Sequence, residues 1–263
     1  MSYYTSISGL KNAQTDLNTI SHNIANAETN GFKKSRVDFA DIVASSATTN
    51  PKMVQGIGSA VTSITQDFKI GPMEQTGSAL DIAITGDGFF EVKGPDGGAS
   101  MYTRNGGFSL QNKDEEGTAA YVVDSSGNRL QSLTGDIEIP ATKGTATFTG
   151  ITISSKGEVK ASYSDSTSEV RGTVKLATFL APSGLKQVGN SNWEVTGLSG
   201  PAIEGAPDTG SNGPLLSGSI EHSNVDIAEE LVNLITAQRY FQANAKAIDT
   251  ATQISQTIIG LRS

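Results

Sequence analysis

Few residues in this sequence of 263 could carry catalysis or bind a metal. There is no cysteine, so no disulfide framework and no thiolate zinc site is expected. The two histidines, His22 and His222, are far apart in the sequence and have no further ligands or triad partners at a recognisable spacing. The sequence therefore predicts that the protein is not an enzyme, with no catalytic residue, no metal site and no cofactor.

The segment Gly86-Asp87-Gly88 has the glycine content of a phosphate-binding loop. No third glycine, no Lys-Ser pair and no helical pattern follows it, and apolar runs flank it on both sides. We therefore expect a β-hairpin over residues 80–92 with this segment as its turn. Asp81 and Asp87 do not have the spacing of a calcium-binding loop.

The composition excludes some classes of function. The net charge of −8 argues against a nucleic-acid-binding protein, which needs a positive field. No stretch reaches the ~18 apolar residues of a membrane span, so we expect no membrane insertion. A basic cluster at residues 33–36 is expected to be a solvated loop, with pairing to acidic residues 226–230 of a neighbouring copy as the alternative.

Both ends of the chain carry the heptad periodicity of helices, in which apolar residues recur at alternating spacings of three and four. Ser223 or Asn224 is expected to cap the second helix, which would run from about residue 224 to 261. We call the apolar positions of the two helices the heptad seam and predict that they form the assembly interface. The seam comprises Leu10, Leu17, Ile20, Ile24, Ile227, Leu231, Leu234, Phe241, Ile248, Ile254, Ile258 and Leu261.

An apolar seam of this length needs a partner, because water would otherwise face a long hydrophobic stripe. The two helices could pair within one molecule, or they could form a layer shared among many subunits. The C-terminal pattern is longer than the N-terminal one by roughly a dozen residues, or about 18 Å of helix. One-to-one pairing would thus leave apolar surface uncovered, although periodicity by itself leaves both arrangements open.

Between the ends, short apolar runs alternate with glycine-rich turns, which predicts mainly antiparallel strands. The runs lie at residues 57–70, 101–103, 120–123, 150–153, 170–180 and 192–195. The expected fold is α+β, with N- and C-terminal helices forming a coiled-coil-like core domain around an inserted, mainly antiparallel β domain. The expected division is a helical domain of residues 1–42 and 217–263, a connector with first strands at 43–79, a β-rich domain at 80–199 and a linker at 200–216.

Residues 8–42 and 217–248 resemble the N- and C-terminal signatures of the flagellar hook and rod axial protein family. Segments 80–92 and 102–110 resemble the β core of the same family, in the same order. His22 departs from the family pattern, which usually has asparagine at that position. The residues that match the family motifs are Asn23, Ala25, Asn26, Gly31, Phe32, Asn224, Gln238 and Arg239.

The resemblance implies a structural subunit that leaves the cell through the flagellar export apparatus without a cleaved signal peptide. Such subunits assemble into a helical tube, so the expected partners are further copies of the chain, other axial and junction proteins, the export apparatus and a hook cap. The expected location is the flagellum, as an extracellular hook subunit or as a periplasmic subunit of the basal-body rod.

The sequence favours the hook protein, in a short form, over the distal rod protein. The reasons are the short connector at 43–56, the run at 61–71 and the ending Leu261-Arg262, although the length matches a distal rod protein. An alternative of another class is an extracellular β-rich binding module, which would leave the helical ends unexplained. A carboxylate-dependent hydrolase is a further alternative, but no acidic motif supports it.

Overall fold

The structure is a computed structural model that describes residues 2–44, 55–95, 97–113 and 117–260. The chain forms two compact units, and the sequence passes between them several times. Unit 1 comprises residues 1–27, 34–67 and 225–263, and unit 2 comprises residues 28–33 and 68–224. The predicted α+β class, with helices at both ends and an antiparallel β region between them, is confirmed.

The described residues contain two α-helices, a short 3₁₀ turn at Pro182–Gly184 and strands throughout the middle of the chain. The helices are α1 (Ser2–Ala25) and α2 (Ile227–Gly260). The strands of unit 1 are β1 (Ser35–Ala44) and β2 (Gln55–Gln66). The strands of unit 2 are β3 (Met73–Gln75), β4 (Ile82–Ile84), β5 (Phe89–Lys93), β6 (Ser100–Thr103), β7 (Ser109–Asn112), β8 (Ala119–Val123), β9 (Arg129–Ser132), β10 (Gly135–Asp136), β11 (Glu138–Pro140), β12 (Thr142–Lys143), β13 (Ala146–Ile153), β14 (Glu158–Tyr163), β15 (Ser168–Thr173), β16 (Leu176–Thr178), β17 (Lys186–Gly189), β18 (Asn192–Glu194), β19 (Ile203–Gly205), β20 (Leu215–Ser217) and β21 (Ser219–Glu221).

Helix α2 begins one turn later than the sequence predicts, because Asp226 caps it. The Asp226 Oδ1 atom accepts hydrogen bonds from the backbone N–H groups of Ala228 (2.8 Å) and Glu229 (3.2 Å). These are the donors that an N-terminal helix turn cannot satisfy by itself. Glu229 and Glu230 lie in the first turn, where the helix dipole stabilises negative charge.

Strands β1 and β2 form an antiparallel hairpin that lies along α1. Gly58 lies so close to α1 that a Cβ atom there would be 2.5 Å from the Ser8 hydroxyl oxygen. The Asn12 amide also donates to the Ser59 hydroxyl at 2.7 Å. Glycine is therefore required where the hairpin meets the helix, and larger side chains would push the two elements apart.

Unit 2 is built from antiparallel sheets. The main sheet has the order β11-β8-β9-β5-β6-β18-β17, and β7, β10, β16 and β19 extend it from the side. A second sheet has the order β12-β13-β14-β15, and two further pairs are β20-β4 and β21-β3. Alternating burial along β14 is typical of a strand with one face on the core.

Two apolar clusters fill unit 2. The larger one includes the fully buried side chains of Ile82, Phe90, Leu130 and Leu176. The smaller one is aromatic, and its Trp193 ring lies edge-on to Phe68 and Phe89 with centroids 5.5 and 5.8 Å apart. Because Trp193 is the sole tryptophan in the sequence, its fluorescence reports on the folding of unit 2.

Two local predictions are wrong. Residues 80–92 do not form a hairpin, because β4 pairs with β20 whereas β5 pairs with β6, β9 and β16. Gly86 and Gly88 have positive φ angles of 137° and 127°, and the chain between them passes from one sheet to another. Residues 200–216 are not a simple linker, since β19 and part of β20 lie there.

The structure also divides the chain at different places from those expected. The hairpin of residues 35–66, placed partly in a connector, clusters with the two helices in unit 1. The boundary on the C-terminal side falls after Asn224 rather than at 217, because β20 and β21 pair with strands of unit 2. Most of the connector at 43–56 lies outside the described residues.

Candidate assembly interface

Helices α1 and α2 pack against each other in antiparallel orientation within unit 1. The Asn23 side chain, which is buried, donates a hydrogen bond to Glu230 Oε2 at 3.2 Å. The same amide donates to the Ser35 carbonyl and accepts from the Ser35 N–H, both at 2.9 Å. Asn23 therefore joins α1, α2 and β1 at one point, which explains why a polar residue occupies a helix interface.

The other end of the helix pair is fixed by Gly9. A Cβ atom at Gly9 would lie 2.6 Å from Asn244 Oδ1, so the helices approach closely there. The Gly9–Asn244 and Asn23–Glu230 contacts share one register, because each pair of residue numbers adds to 253. Ser2, the first residue of α1, then lies opposite residue 251. Residues 252–260 extend beyond α1, and all nine are exposed; we call this segment the α2 overhang.

The helix pairing covers the heptad seam only in part. Ile20 is buried, and the seam positions on either side of it in α1 and at the middle of α2 are half-buried. These half-buried positions are Leu10, Leu17, Ile24, Leu234, Phe241 and Ile248. The seam positions at the two ends of α2 are exposed, namely Ile227, Leu231, Ile254 and Ile258. Leu261 lies outside the described residues.

Helix α2 also carries apolar residues on a face that the sequence analysis did not single out. Val232 and Ile235 are 63% and 51% exposed, and they follow Ile227 and Leu231 at helical spacing. Tyr240 is also exposed, further along the helix. Large contiguous apolar surfaces are uncommon on monomeric proteins and mark interaction sites.

The predicted family-motif residues have different roles in the structure. Gly31 has a φ angle of 67°, and a Cβ atom there would lie 2.4 Å from the Asn105 backbone nitrogen. Phe32 is buried, and the Asn224 amide donates to the Lys69 carbonyl at 3.1 Å. The Asn26 amide donates to the His22 carbonyl at 2.8 Å, which closes the end of α1. The remaining motif residues are exposed, namely Ala25, Gln238 and Arg239.

Unit 2 contains a buried ionic cluster around Glu221 that the sequence analysis missed. Glu221 Oε1 contacts Lys33 Nζ at 2.5 Å and accepts from the Gly71 N–H at 2.9 Å. Glu221 Oε2 contacts Arg104 Nη1 at 3.3 Å. Burial lowers the pKa of Arg104, and the negative charge of Glu221 opposes that shift. We call Lys33, Arg104 and Glu221 the Glu221 cluster.

The Glu221 cluster joins the segments through which the chain enters and leaves unit 2. Lys33 Nζ also donates to the Lys69 carbonyl at 2.7 Å, and the Glu221 carbonyl accepts from the Gly31 N–H at 2.8 Å. Segments 28–33, 68–71 and 221–224 thus share one polar centre inside unit 2. A signal was present in the sequence, since Lys33 directly follows an apolar residue of the Gly31-Phe32 motif, but its partner lies 188 residues away.

The basic residues at 33–36 do not act as one solvated cluster. Lys33 is buried in unit 2, whereas Lys34 pairs with Glu229 at 3.3 Å and Arg36 with Asp38 at 3.1 Å inside unit 1. The pairing with acidic residues of α2 that the sequence suggested therefore forms within a single chain for Lys34. Exposed pairs of this kind contribute ~0–1 kcal/mol each.

Helices α1 and α2 and strand β1 enclose a cleft of about 330 Å³ in unit 1. Its lining combines apolar Ile20, Val37 and Ala237 with acidic Asp16, whose pKa is raised by burial. Among the described residues, no cluster of three or more histidine, aspartate or glutamate side chains is placed to hold a metal ion. None of the described helices is long and apolar enough to cross a membrane.

Three family models match successive parts of the chain, namely its N-terminal, central and C-terminal regions. A model described as flagella basal body rod protein matches residues 4–33. A model of the flagellar hook protein FlgE/F/G D1 domain matches residues 83–161, and one of the flagellar basal body rod FlgEFG protein C-terminal matches residues 216–261. The terminal models cover α1 and α2, and the central one covers β strands of unit 2.

Curated relatives extend the match to the whole chain. The flagellar basal-body rod protein FlgG of Bacillus subtilis is 37% identical, over 99% of this chain and 98% of the relative. The chain belongs to the flagellar hook and rod protein family. FlgG of Borreliella burgdorferi is 34% identical over 94% of this chain and 93% of the relative. The hook protein FlgE of Salmonella typhimurium is 26% identical, with both chains fully covered.

Membership of this family establishes the coarse function. The protein is a structural component of the bacterial flagellum, of the hook or the basal-body rod, and it is not an enzyme. Proteins of this family polymerise and associate with other flagellar components. The exposed apolar positions of α2 therefore belong to a protein whose family forms assemblies, which accounts for surface that a monomer would not tolerate well.

Proposed function

We propose that this chain is a subunit of the distal rod of the flagellar basal body, where copies of it stack into a helical tube that transmits torque. The observation that carries the proposal is the match with rod proteins along the whole length of both chains. The alignment with FlgG of Bacillus subtilis needs 273 positions, close to the 263 residues of this chain. The alignment with the hook protein FlgE needs 411 positions, so much of the hook protein has no counterpart here.

The hook is the second candidate. It is favoured by the run at 61–71, which begins on β2 and resembles the hook more than the rod, and by the full-length match to FlgE. No comparison separates the two assignments by a residue of known role. The hook assignment of the sequence analysis therefore remains a prediction, and the length of the matched relatives favours the rod.

The surfaces of unit 1 support polymerisation through the helices. The α1–α2 pair satisfies the middle of the heptad seam within one molecule, which is the first of the two arrangements that the periodicity left open. The exposed Ile227, Leu231, Val232 and Ile235 lie outside that contact and are available to further copies. Both arrangements are thus combined in the proposal: the helices pair inside each subunit, and their remaining apolar faces pack between subunits.

The partners proposed for the rod are copies of the same chain along the tube and other axial or junction proteins at its two ends. The proposed route to that position is the flagellar export apparatus, without a cleaved signal peptide. No side chain needs to do chemistry in this role, because torque is transmitted by packed surfaces.

Epitope labelling of isolated hook–basal bodies tests the assignment. A short tag inserted at the exposed Gly97-Gly98 turn should be detected by gold-labelled antibody in electron micrographs at the rod, after outer rings have been removed. Label along the curved hook would contradict the rod and support the hook. Absence of label from purified flagella that carry the tagged chain as their sole copy would contradict both.

A further inference from the structure

The hairpin of unit 1 exposes apolar side chains that nothing in the described chain covers. From Phe39 to the end of β1 every residue is exposed. Phe39 lies directly opposite Val61 in the register of the hairpin. A two-stranded ribbon is only marginally stable in water unless a further layer packs on it. We call Phe39, Val43 and Val61, which are exposed apolar residues on one face of the hairpin, the hairpin patch.

The α2 overhang is a second apolar surface without a cover in the described residues. Ile254 and Ile258 are 56% and 62% exposed. Ile258 occupies the same heptad position as Ala237, which is buried in the helix interface. The overhang thus continues the face that α1 covers, but α1 ends opposite residue 251.

We propose that the α2 overhang of one copy packs on the hairpin patch of a second copy. The inference rests on the proposed function, since it names a contact between subunits of the flagellar tube. Within one chain the patch and the overhang do not cover each other, because both are exposed. Charge, length and the symmetry of the contact indicate that the occupant of the patch is a second copy.

Charge is the first reason. Residues 251–260 contain no charged side chain, and residues 39–44 and 56–61 contain a single one, Asp41. Two nearly uncharged apolar surfaces can be buried against each other without the desolvation cost of a buried ion. Length is the second reason: the nine residues of the overhang span ~14 Å of helix, which fits within the ~20 Å of strand that residues 39–44 span.

The third reason is the kind of contact. The patch and the overhang are different surfaces, so their union is a head-to-tail contact that repeats from copy to copy. Such contacts do not close on a two-fold axis, and they build open helical filaments when their rotation does not close into a ring. A contact between two identical hairpin patches would instead give a two-fold dimer, which does not propagate into a tube.

Cysteine cross-linking tests the contact without interference, because the chain has no cysteine of its own. Two single variants, Ile258→Cys and Val61→Cys, are mixed at a concentration at which the protein assembles and are then oxidised mildly. We expect a disulfide-linked species that contains one copy of each variant, since a disulfide forms only when the Cα atoms are within ~7 Å. A chain that carries both substitutions should give a ladder of multimers.

The matched control is Gln256→Cys mixed with Val61→Cys. Gln256 lies two residues from Ile258 on the same exposed helix end and therefore points to the opposite side. We expect the disulfide yield between positions 256 and 61 to be much lower than that between positions 258 and 61. Equal yields from the two positions, no mixed species, or cross-links only between two copies of Val61→Cys would each overturn the inference.

Electron microscopy of the same oxidised samples separates this inference from the proposed function. Tubes without the 258–61 disulfide overturn the contact but leave the axial role standing. Absence of both tubes and the disulfide argues against the contact and against polymerisation of this chain as well.

Discussion

Replacing Glu221 by glutamine should destabilise unit 2 strongly. All three side chains of the Glu221 cluster are at most 3% exposed, and Glu221 is the carboxylate that Lys33 and Arg104 share. Glutamine keeps the size of the side chain and one acceptor oxygen, but it leaves two buried cations without that negative charge. Removing one partner of a buried ion pair costs ~3–5 kcal/mol. Because the free energy of unfolding of a domain is typically only ~5–15 kcal/mol, this loss is a large fraction of the total stability.

The assay is unfolding in urea, followed by the fluorescence of Trp193, which is buried in the aromatic cluster of unit 2. The dependence of the unfolding free energy on urea is ~1–3 kcal/mol per molar unit for small proteins. At a slope of ~2 kcal/mol per molar unit, the expected loss lowers the midpoint by about 1.5–2.5 M urea. The protein is kept dilute, so that assembly does not add to the measured stability.

Glu229→Gln is the matched control, since Glu229 also pairs with a lysine but is 58% exposed on unit 1. It should change stability by ~0–1 kcal/mol. Lys33→Met should cost less than Glu221→Gln, because it leaves Glu221 and Arg104 as a one-to-one pair. If Glu221→Gln changes the midpoint no more than Glu229→Gln does, the assumption that the buried carboxylate holds the cluster together is wrong.

Gly31→Ala should destabilise unit 2 by ~2–4 kcal/mol in the same assay, because the left-handed φ angle and the contact with Asn105 both exclude a Cβ atom. Gly97→Ala, at a positive φ angle but with no described atom within 4 Å of the added Cβ, should lose only the smaller backbone contribution. Asn23→Leu should lower the thermal stability of the helices by ~1–3 kcal/mol, measured by circular dichroism, because it leaves polar groups of Ser35 and Glu230 unsatisfied. Limited proteolysis of the monomer should cut residues 1–30 and 225–263 before the β region, because helices with incomplete partners are marginally stable, and equal resistance of both regions would exclude this. The pKa of Asp16 should exceed 3.8 in a carbon-detected NMR titration, because burial favours its protonated form. The folded state then binds the proton more tightly than the unfolded state, so ionised Asp16 opposes folding once the pH rises above its unfolded pKa. Asp16→Asn should therefore slightly raise the free energy of unfolding at pH 7.

The elements of this protein follow from local sequence signals. Heptad spacing predicted both terminal helices, and α2 reaches Gly260, the last described residue, although Asp226, rather than Ser223 or Asn224, caps its start. The apolar runs of the middle each coincide with strands. These signals are readable because helix and strand periodicity depend on residues only a few positions apart.

Partners far apart in sequence could not be predicted in the same way. Asn23 and Glu230 are separated by 207 positions, and Lys33 and Glu221 by 188. The apolar Phe32 next to Lys33 is a local hint of burial, but nothing local identifies the partner of Lys33 or that of the half-buried Lys34 beside it. The fate of each charge depends on whether a counter-charge is buried next to it, which the paths of distant segments decide.

The sequence by itself determined that the protein has helical ends, a β-rich middle, and the motifs of a flagellar axial family, because all three depend on short-range patterns. Only the tertiary structure decided that the chain on either side of Gly86-Asp87-Gly88 joins different sheets and that α1 covers α2 only as far as residue 251. The physical reason is that a strand's partner and a helix's cover are set by which apolar surfaces can be buried together. That choice is made between distant segments, and in this family it continues between copies of the chain.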